Sequence, residues 1–152
     1  MADVYHQLYV HVVFAVRNRQ ALISEKWEDS LHKYLSGIIN HKGHKALAIG
    51  GMPDHIHIFL ALKPSEALSD LVRELKKSSQ TFISNQGFTS YQFRWQNGYG
   101  AFSYSRSQIK TVCKYVQNQK SIHNKKTFKD EYDDLIKEFG IDRSKKESFD
   151  FF

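Results

Sequence analysis

Residues 54–62 run Asp-His-Ile-His-Ile-Phe-Leu-Ala-Leu, an apolar stretch of strand length broken by His55 and His57. Side chains alternate faces along a strand, so both imidazoles project to one side while Ile56 and Ile58 project to the other. At that spacing two histidines make half of a metal site without bending the backbone. Alone, the pair fits packing on a sheet face equally well.

The flanking sequence surrounds this strand with others of its kind. Residues 5–17 carry Leu8, Val10, Val12, Val13, Phe14 and Val16, the β-branched and aromatic content of a first strand. Ser24 is placed to cap a helix in which Trp27, Leu31, Tyr34, Leu35, Ile38 and Ile39 recur at helical spacing, with Gly43 as its stop. Residues 45–50 form a short second strand, and Gly50-Gly51-Met52-Pro53 turns the chain into the histidine strand. Pro64 and Ser65 open a second helix with a stripe of Leu68, Leu71, Val72, Leu75, Phe82 and Ile83, ended by Gly87. Residues 88–97 are aromatic and irregular, and 99–105 alternate as a fourth strand or strand pair. Ser107 is expected to cap a third helix carrying Ile109, Val112, Tyr115, Val116 and Gln119. Beyond Asn124 the chain is polar except around Tyr132, Leu135, Ile136 and Phe139.

The order β-α-β-β-α-β predicts an α+β fold: a ferredoxin-like, RRM-like antiparallel sheet with two helices on one face and a C-terminal tyrosine-bearing helix. The other face is expected to be open and able to carry a site. All 152 residues are expected to form one catalytic domain, with a core over about 5–123 and a helical tail over 124–152.

No apolar run reaches the roughly 20 residues of a membrane helix, and the N-terminus lacks the charged-then-apolar order of a signal peptide. The single cysteine, Cys113, cannot close an internal disulfide, so a reducing cytoplasm is the expected compartment. At an apolar helix position Cys113 reads as a packed thiol. The net charge of +6 fits a polyanionic partner such as nucleic acid. Basic residues gather at 73–77, 110–126 and 143–146, and acidic ones at 130–134.

The histidine pair gains meaning from Tyr115 and Gln119, which face the same way if one helix carries both. Gln119 offers a neutral oxygen ligand. Tyr115 offers a phenol, a poor nucleophile at neutral pH because its pKa is about 10. A cation on a phosphate makes the phosphorus more electrophilic, and phenolate attack there conserves the bond as a phosphotyrosine. Singly these residues read as a half-buried aromatic and a solvated amide. The three-part combination is the signal.

Met52-Pro53-Asp54-His55-Ile56-His57 resembles the signature of HUH single-tyrosine transposases, in which Ile56 is the central bulky hydrophobe. These enzymes belong to small bacterial insertion sequences of the IS200-like family, which includes the REP-associated tyrosine transposases. Tyr115-Val116-Gln117-Asn118-Gln119 is similar to their nucleophile helix, and residues 95–103 resemble the strand and turn before it. The likeness extends over roughly residues 5–140.

The resemblance implies cleavage and rejoining of single-stranded DNA, with hairpin-containing element ends as the substrate. By position, His55, His57 and Gln119 would hold Mg²⁺ or Mn²⁺. Tyr115 would attack the scissile phosphate, leaving a 5′-phosphotyrosine and a free 3′-hydroxyl. The family resemblance further implies a homodimer in which the tyrosine helix of one subunit can complete the partner's site. His123 and Glu131 have family-like placement after the tyrosine helix but receive no chemical role.

Arg73, Lys76 and Lys77, with Lys110, Lys114 and Lys120 around Tyr115, are candidate phosphate contacts. Phe93, Trp95, Tyr99 and Phe102 could stack unpaired bases, with core or dimer packing as the plainer reading. His6 and His11 lie on the strand expected beside the histidine strand, and His11 is the better candidate to support it. Two alternatives stay open. One is a nucleic-acid-binding module or domesticated repeat-processing nuclease of the same fold. The other is a metal hydrolase without a covalent step, which leaves Tyr115 without a task.

Overall fold

The computed structural model describes residues 3–17, 21–122 and 126–141. The chain runs through β1 (Tyr9–Ala15), α1 (Glu28–His41), β2 (Lys45–Met52), β3 (His55–Ala61) and α2 (Leu68–Gln86). It continues through β4 (Gly100–Tyr104), α3 (Ile109–Gln117), α4 (Gln119–Ile122) and α5 (Phe128–Glu138). All strand pairs are antiparallel, in the order β2-β3-β1-β4. The histidine strand is therefore interior, and the expected α+β architecture is present.

Alternation sorts the side chains into two layers. Val10, Val12, Phe14, Ile56, Ile58 and Leu60 share one face and join Leu31, Leu35 and Ile39 of α1 and Leu71, Leu75 and Ile83 of α2 in the main core. His11, Val13, His55, His57 and Phe59 share the other. That second face was expected to be open, but α3, α4 and α5 cover it. Val112 and Val116 pack on Ala48 and Phe59, and the Phe128 ring stacks on His55 at 4.0 Å. The reason is the second apolar stripe near the C-terminus, Phe128, Tyr132, Leu135 and Ile136, which needs a surface to bury against.

Gly50 sets how closely this layer approaches. It pairs with His57 in the sheet, and a Cβ built on it would lie 1.9 Å from the Val116 carbonyl oxygen. Only a residue without a side chain lets the end of α3 rest directly on β2. The residue before that contact is Tyr115.

Several element ends differ from expectation. Ser24 does not cap α1; its carbonyl accepts from the Trp27 and Glu28 amides in the turn ahead of it, and the helix begins at Glu28. α2 starts at Leu68, after the Pro64-Ser65 turn, and ends on left-handed Gly87 as expected (φ 66°). Ser105 rather than Ser107 supplies the capping box, with Gln108, ahead of a single turn that leads into α3. The tyrosine helix is interrupted at Asn118, so Gln119 begins a separate short helix.

Phe93, Trp95 and Phe102 are buried in the main core, and Tyr99 packs against it. The Trp95 indole donates to Ser79 on α2. These rings hold the fold and are withdrawn as base-stacking candidates. Cys113 is half-buried beside the Leu47 carbonyl, and burial raises its pKa, as suits a packed thiol. Among the described residues, no helix is long and apolar enough to cross a membrane.

Candidate active site

β3 delivers both imidazoles to the layer beneath α3 and α5, and each ring is tied by its Nδ1. His55 Nδ1 donates to Asp54 Oδ1 at 2.7 Å. His57 Nδ1 is hydrogen-bonded to His11 Nε2 at 2.6 Å, across from β1. Fixing one nitrogen aims the other. Both Nε2 atoms accordingly point at the same carboxylate oxygen, Glu131 Oε1, at 3.4 Å from His55 and 3.1 Å from His57. Both histidines are fully buried. His11 is thus a supporting residue, while His6 on the exposed N-terminal segment is not part of the site.

Gln119 and Tyr115 close the cluster from above. Although the helix breaks between them, Gln119 Nε2 donates back to the Tyr115 carbonyl at 3.2 Å and to Glu131 Oε2 at 3.1 Å. Its Oε1 faces His55 Nε2 at 3.3 Å. The Tyr115 hydroxyl donates to Glu131 Oε2. Gln119 is a buried amide, 1% exposed, rather than a solvated one. The tyrosine reaches the histidine pair of its own chain.

Glu131 is the residue that sequence reasoning left without a role. Its signal was available: it lies on the face of α5 that buries Phe128, Tyr132, Leu135 and Ile136, and it is itself only 3% exposed. A carboxylate on an apolar stripe must be paired or bind a cation. His123 lies outside the described residues, as does the basic group at 143–146.

The ligand atoms of His55, His57 and Glu131 lie within 4.8 Å of one another. Two imidazoles, a carboxylate and an amide oxygen are a donor set that fits a divalent cation. The electrostatics agree. Burial pulls His55 down, but the Asp54 and Glu131 carboxylates outweigh it and hold its pKa above the ordinary value. The site thus already attracts positive charge. Burial, and then the neighbouring His57, keep His11 well below its ordinary value, so it stays neutral. Burial, followed by the Glu131 charge, raises the Tyr115 phenol. A cavity of about 730 Å³ between α3 and α5 reaches Tyr115 and Glu131, with Tyr104, Gln108 and Lys126 among its walls. That volume suits a nucleotide-sized group.

The basic candidates divide between two faces. Lys110 and Lys114 are exposed on α3 beside Tyr115, and Lys120 is exposed on α4 with Glu25 and Glu28 as ion-pair partners. Arg73 and Lys77 are exposed on α2, in the layer across the sheet from Tyr115, and Arg73 pairs with Asp70. Lys76 points inward. Its Nζ donates to the Gln96 and Gly98 carbonyls at 2.9 and 2.6 Å and sits over the Phe14 ring, and burial lowers its pKa to about 8. It clamps the loop before β4 instead of facing solvent.

Comparison with known proteins adds three findings. The family described as "Transposase IS200 like" matches residues 4–119. The ISDra2 transposase TnpA of Deinococcus radiodurans is 26% identical over 123 residues, which cover 75% of this chain and 85% of that protein. Two solved structures share the fold. A candidate transposase from Deinococcus radiodurans has 23% identity and a TM-score of 0.59, covering 78% of this chain and 95% of its own. A REP-associated tyrosine transposase bound to a REP hairpin has 17% identity and a TM-score of 0.54, covering 76% and 68%.

Proposed function

The chain belongs to the IS200-like transposase family, and from that premise we propose that it cuts and rejoins single-stranded DNA through a 5′-phosphotyrosine on Tyr115. The observation that carries the proposal is the convergence, inside one chain, of two imidazoles, an amide, a carboxylate and a phenol. Each comes from an element that packing holds in place.

His55, His57 and Glu131, with Gln119 Oε1 facing them, would hold Mn²⁺ or Mg²⁺. When bound, such an ion offsets the carboxylate charge and polarises a non-bridging phosphate oxygen. Asp54 and His11 keep the two Nε2 atoms turned inward. Gln119 ties its own segment to the Tyr115 carbonyl and so keeps phenol and histidines in register. The Phe128 ring covers His55 and excludes water, which strengthens each electrostatic contact inside. Attack by the Tyr115 oxygen breaks the bond from phosphorus to the 3′ oxygen, and a later 3′-hydroxyl reverses the step to join strands.

Lys110, Lys114 and Lys120, on the same side as Tyr115, are proposed to carry the DNA backbone. Arg73 and Lys77 would meet only a strand that wraps to the far face. A hairpin-containing DNA end is proposed as substrate because a relative of this fold is bound to one. A homodimer in the cytoplasm completes the reading, with each site proposed to be assembled in cis.

The test is incubation of the full chain with end-labelled single-stranded DNA and Mn²⁺, followed by denaturing electrophoresis. A denaturation-resistant adduct that disappears in Tyr115→Phe is expected. DNA binding without adduct would make this a binding module. Cut ends without adduct would make it a metal hydrolase.

A further inference from the structure

A phenol does not attack phosphorus while it keeps its proton, and near neutral pH essentially all of a tyrosine with an ordinary pKa of about 10 is protonated. Something must receive that proton. A base has to lie within hydrogen-bond reach before its strength matters. The group that the Tyr115 hydroxyl meets is Glu131 Oε2. His55 and His57 turn their Nε2 atoms toward the other oxygen, Oε1, and the Gln119 amide beside it has no capacity to accept a proton.

Resting on the function proposed above, we propose that Glu131 is a further catalytic residue, with its two oxygens dividing two tasks. Oε1 faces the cation position between the imidazoles. Oε2 takes the Tyr115 proton as the phenol oxygen bonds to phosphorus. The electron pair of the broken bond leaves with the 3′ oxygen, which takes a proton from water, and Glu131 releases its own to solvent. In joining, the attacking 3′-hydroxyl gives up its proton to solvent, the bond from phosphorus to Tyr115 breaks, and Glu131, reprotonated from solvent, hands that proton to the departing phenolate. α5 holds the carboxylate where both tasks are possible: Phe128 stacks on His55 one turn before it, and Thr127 caps the helix by accepting from the Asp130 amide at 3.1 Å.

The variant Glu131→Gln keeps shape and an oxygen ligand but accepts no proton. At saturating Mn²⁺ and with an unchanged thermal melt, its adduct formation should fall roughly 10²- to 10⁴-fold, the usual contribution of a positioned base. Mn²⁺ affinity, read by electron paramagnetic resonance, shows whether the metal site survives. Replacing Tyr115 with 3,5-difluorotyrosine, a more acidic phenol, should then recover about tenfold or more in Glu131→Gln and little in the parent protein.

If saturating Mn²⁺ alone restores Glu131→Gln, or fluorination leaves its deficit unchanged, Glu131 is a ligand and the base assignment is wrong. A rise in adduct in Glu131→Gln would make the carboxylate a plug in the phosphate position, which also overturns it. Either result leaves the tyrosine-transposase reading standing as long as Tyr115→Phe forms no adduct. If the parent chain forms none, both fall.

Discussion

Gly50→Ala tests whether the nucleophile is positioned by backbone contact rather than by its own side chain. The added methyl would sit 1.9 Å from the Val116 carbonyl oxygen and 2.9 Å from its carbon, against backbone that cannot rotate away. A tolerable contact begins near 3.0 Å, so the end of α3 must lift from β2 by roughly 1 Å, and overpacking of this kind costs about 1–3 kcal/mol. Tm should fall by roughly 5 °C for a chain of this size. Tyr115 precedes Val116, so the same lift carries the phenol away from Glu131 and the histidines. A misplacement of about 1 Å can cost around 10²-fold in rate, and a loss of that order in adduct formation at saturating Mn²⁺ is expected. Gly37→Ala is the control: on the exposed side of α1 its Cβ meets nothing within 4 Å, and it should stabilise the helix by roughly 0.5–1 kcal/mol without touching the rate. Wild-type adduct kinetics in folded Gly50→Ala would refute the idea that β2 sets the height of the tyrosine.

The other predictions concern separate parts of the molecule. His57→Ala removes one of the two converging Nε2 atoms and should abolish Mn²⁺-dependent adduct; undiminished activity would make the histidines structural. His11→Phe keeps a ring on the sheet but takes away the partner of His57 Nδ1, so Mn²⁺ affinity by electron paramagnetic resonance should fall about 10- to 100-fold. Equal affinity would mean that packing alone orients His57. Lys76→Met takes the shared donor from the part-buried Gln96 carbonyl and the exposed Gly98 carbonyl and should cost roughly 1 kcal/mol in chemical denaturation, while DNA affinity of the folded variant stays put. Loss of DNA binding in a stable Lys76→Met protein would return this lysine to the DNA interface. In Lys110→Ala/Lys114→Ala the slope of log affinity against log salt should shrink by about 1.4, as for two phosphate contacts on a single strand. An unchanged slope would clear α3 of any role in DNA binding.

How far the sequence carried this protein depended on the range of the signal. Alternation over 9–15 and 55–61 and the helical stripe ending at Gly87 are local, and local patterns survive folding because side-chain direction is fixed by backbone geometry. The histidine pair and the tyrosine–glutamine spacing were legible for the same reason. The break at Asn118 was not, since both residues fit one unbroken helical pattern. Nor were element starts: α1 and α2 begin after Trp27 and Ala67, which make no side-chain cap bond, and only hydrogen bonding chose Ser105 over Ser107 ahead of α3.

What the sequence by itself determined is the set of faces: which residues share a strand side, which share a helix stripe, and therefore that His55 and His57 project to the same side. Only the tertiary structure decided what each face meets. His11 joins His57 across 46 residues and Glu131 joins it across 74. Those meetings depend on strand order and on α5 settling over the sheet, which periodicity does not encode. Packing against a neighbour converts an unplaced acidic residue into the centre of the site, because a carboxylate carried inward on an apolar stripe is stable only where donors or a cation await it.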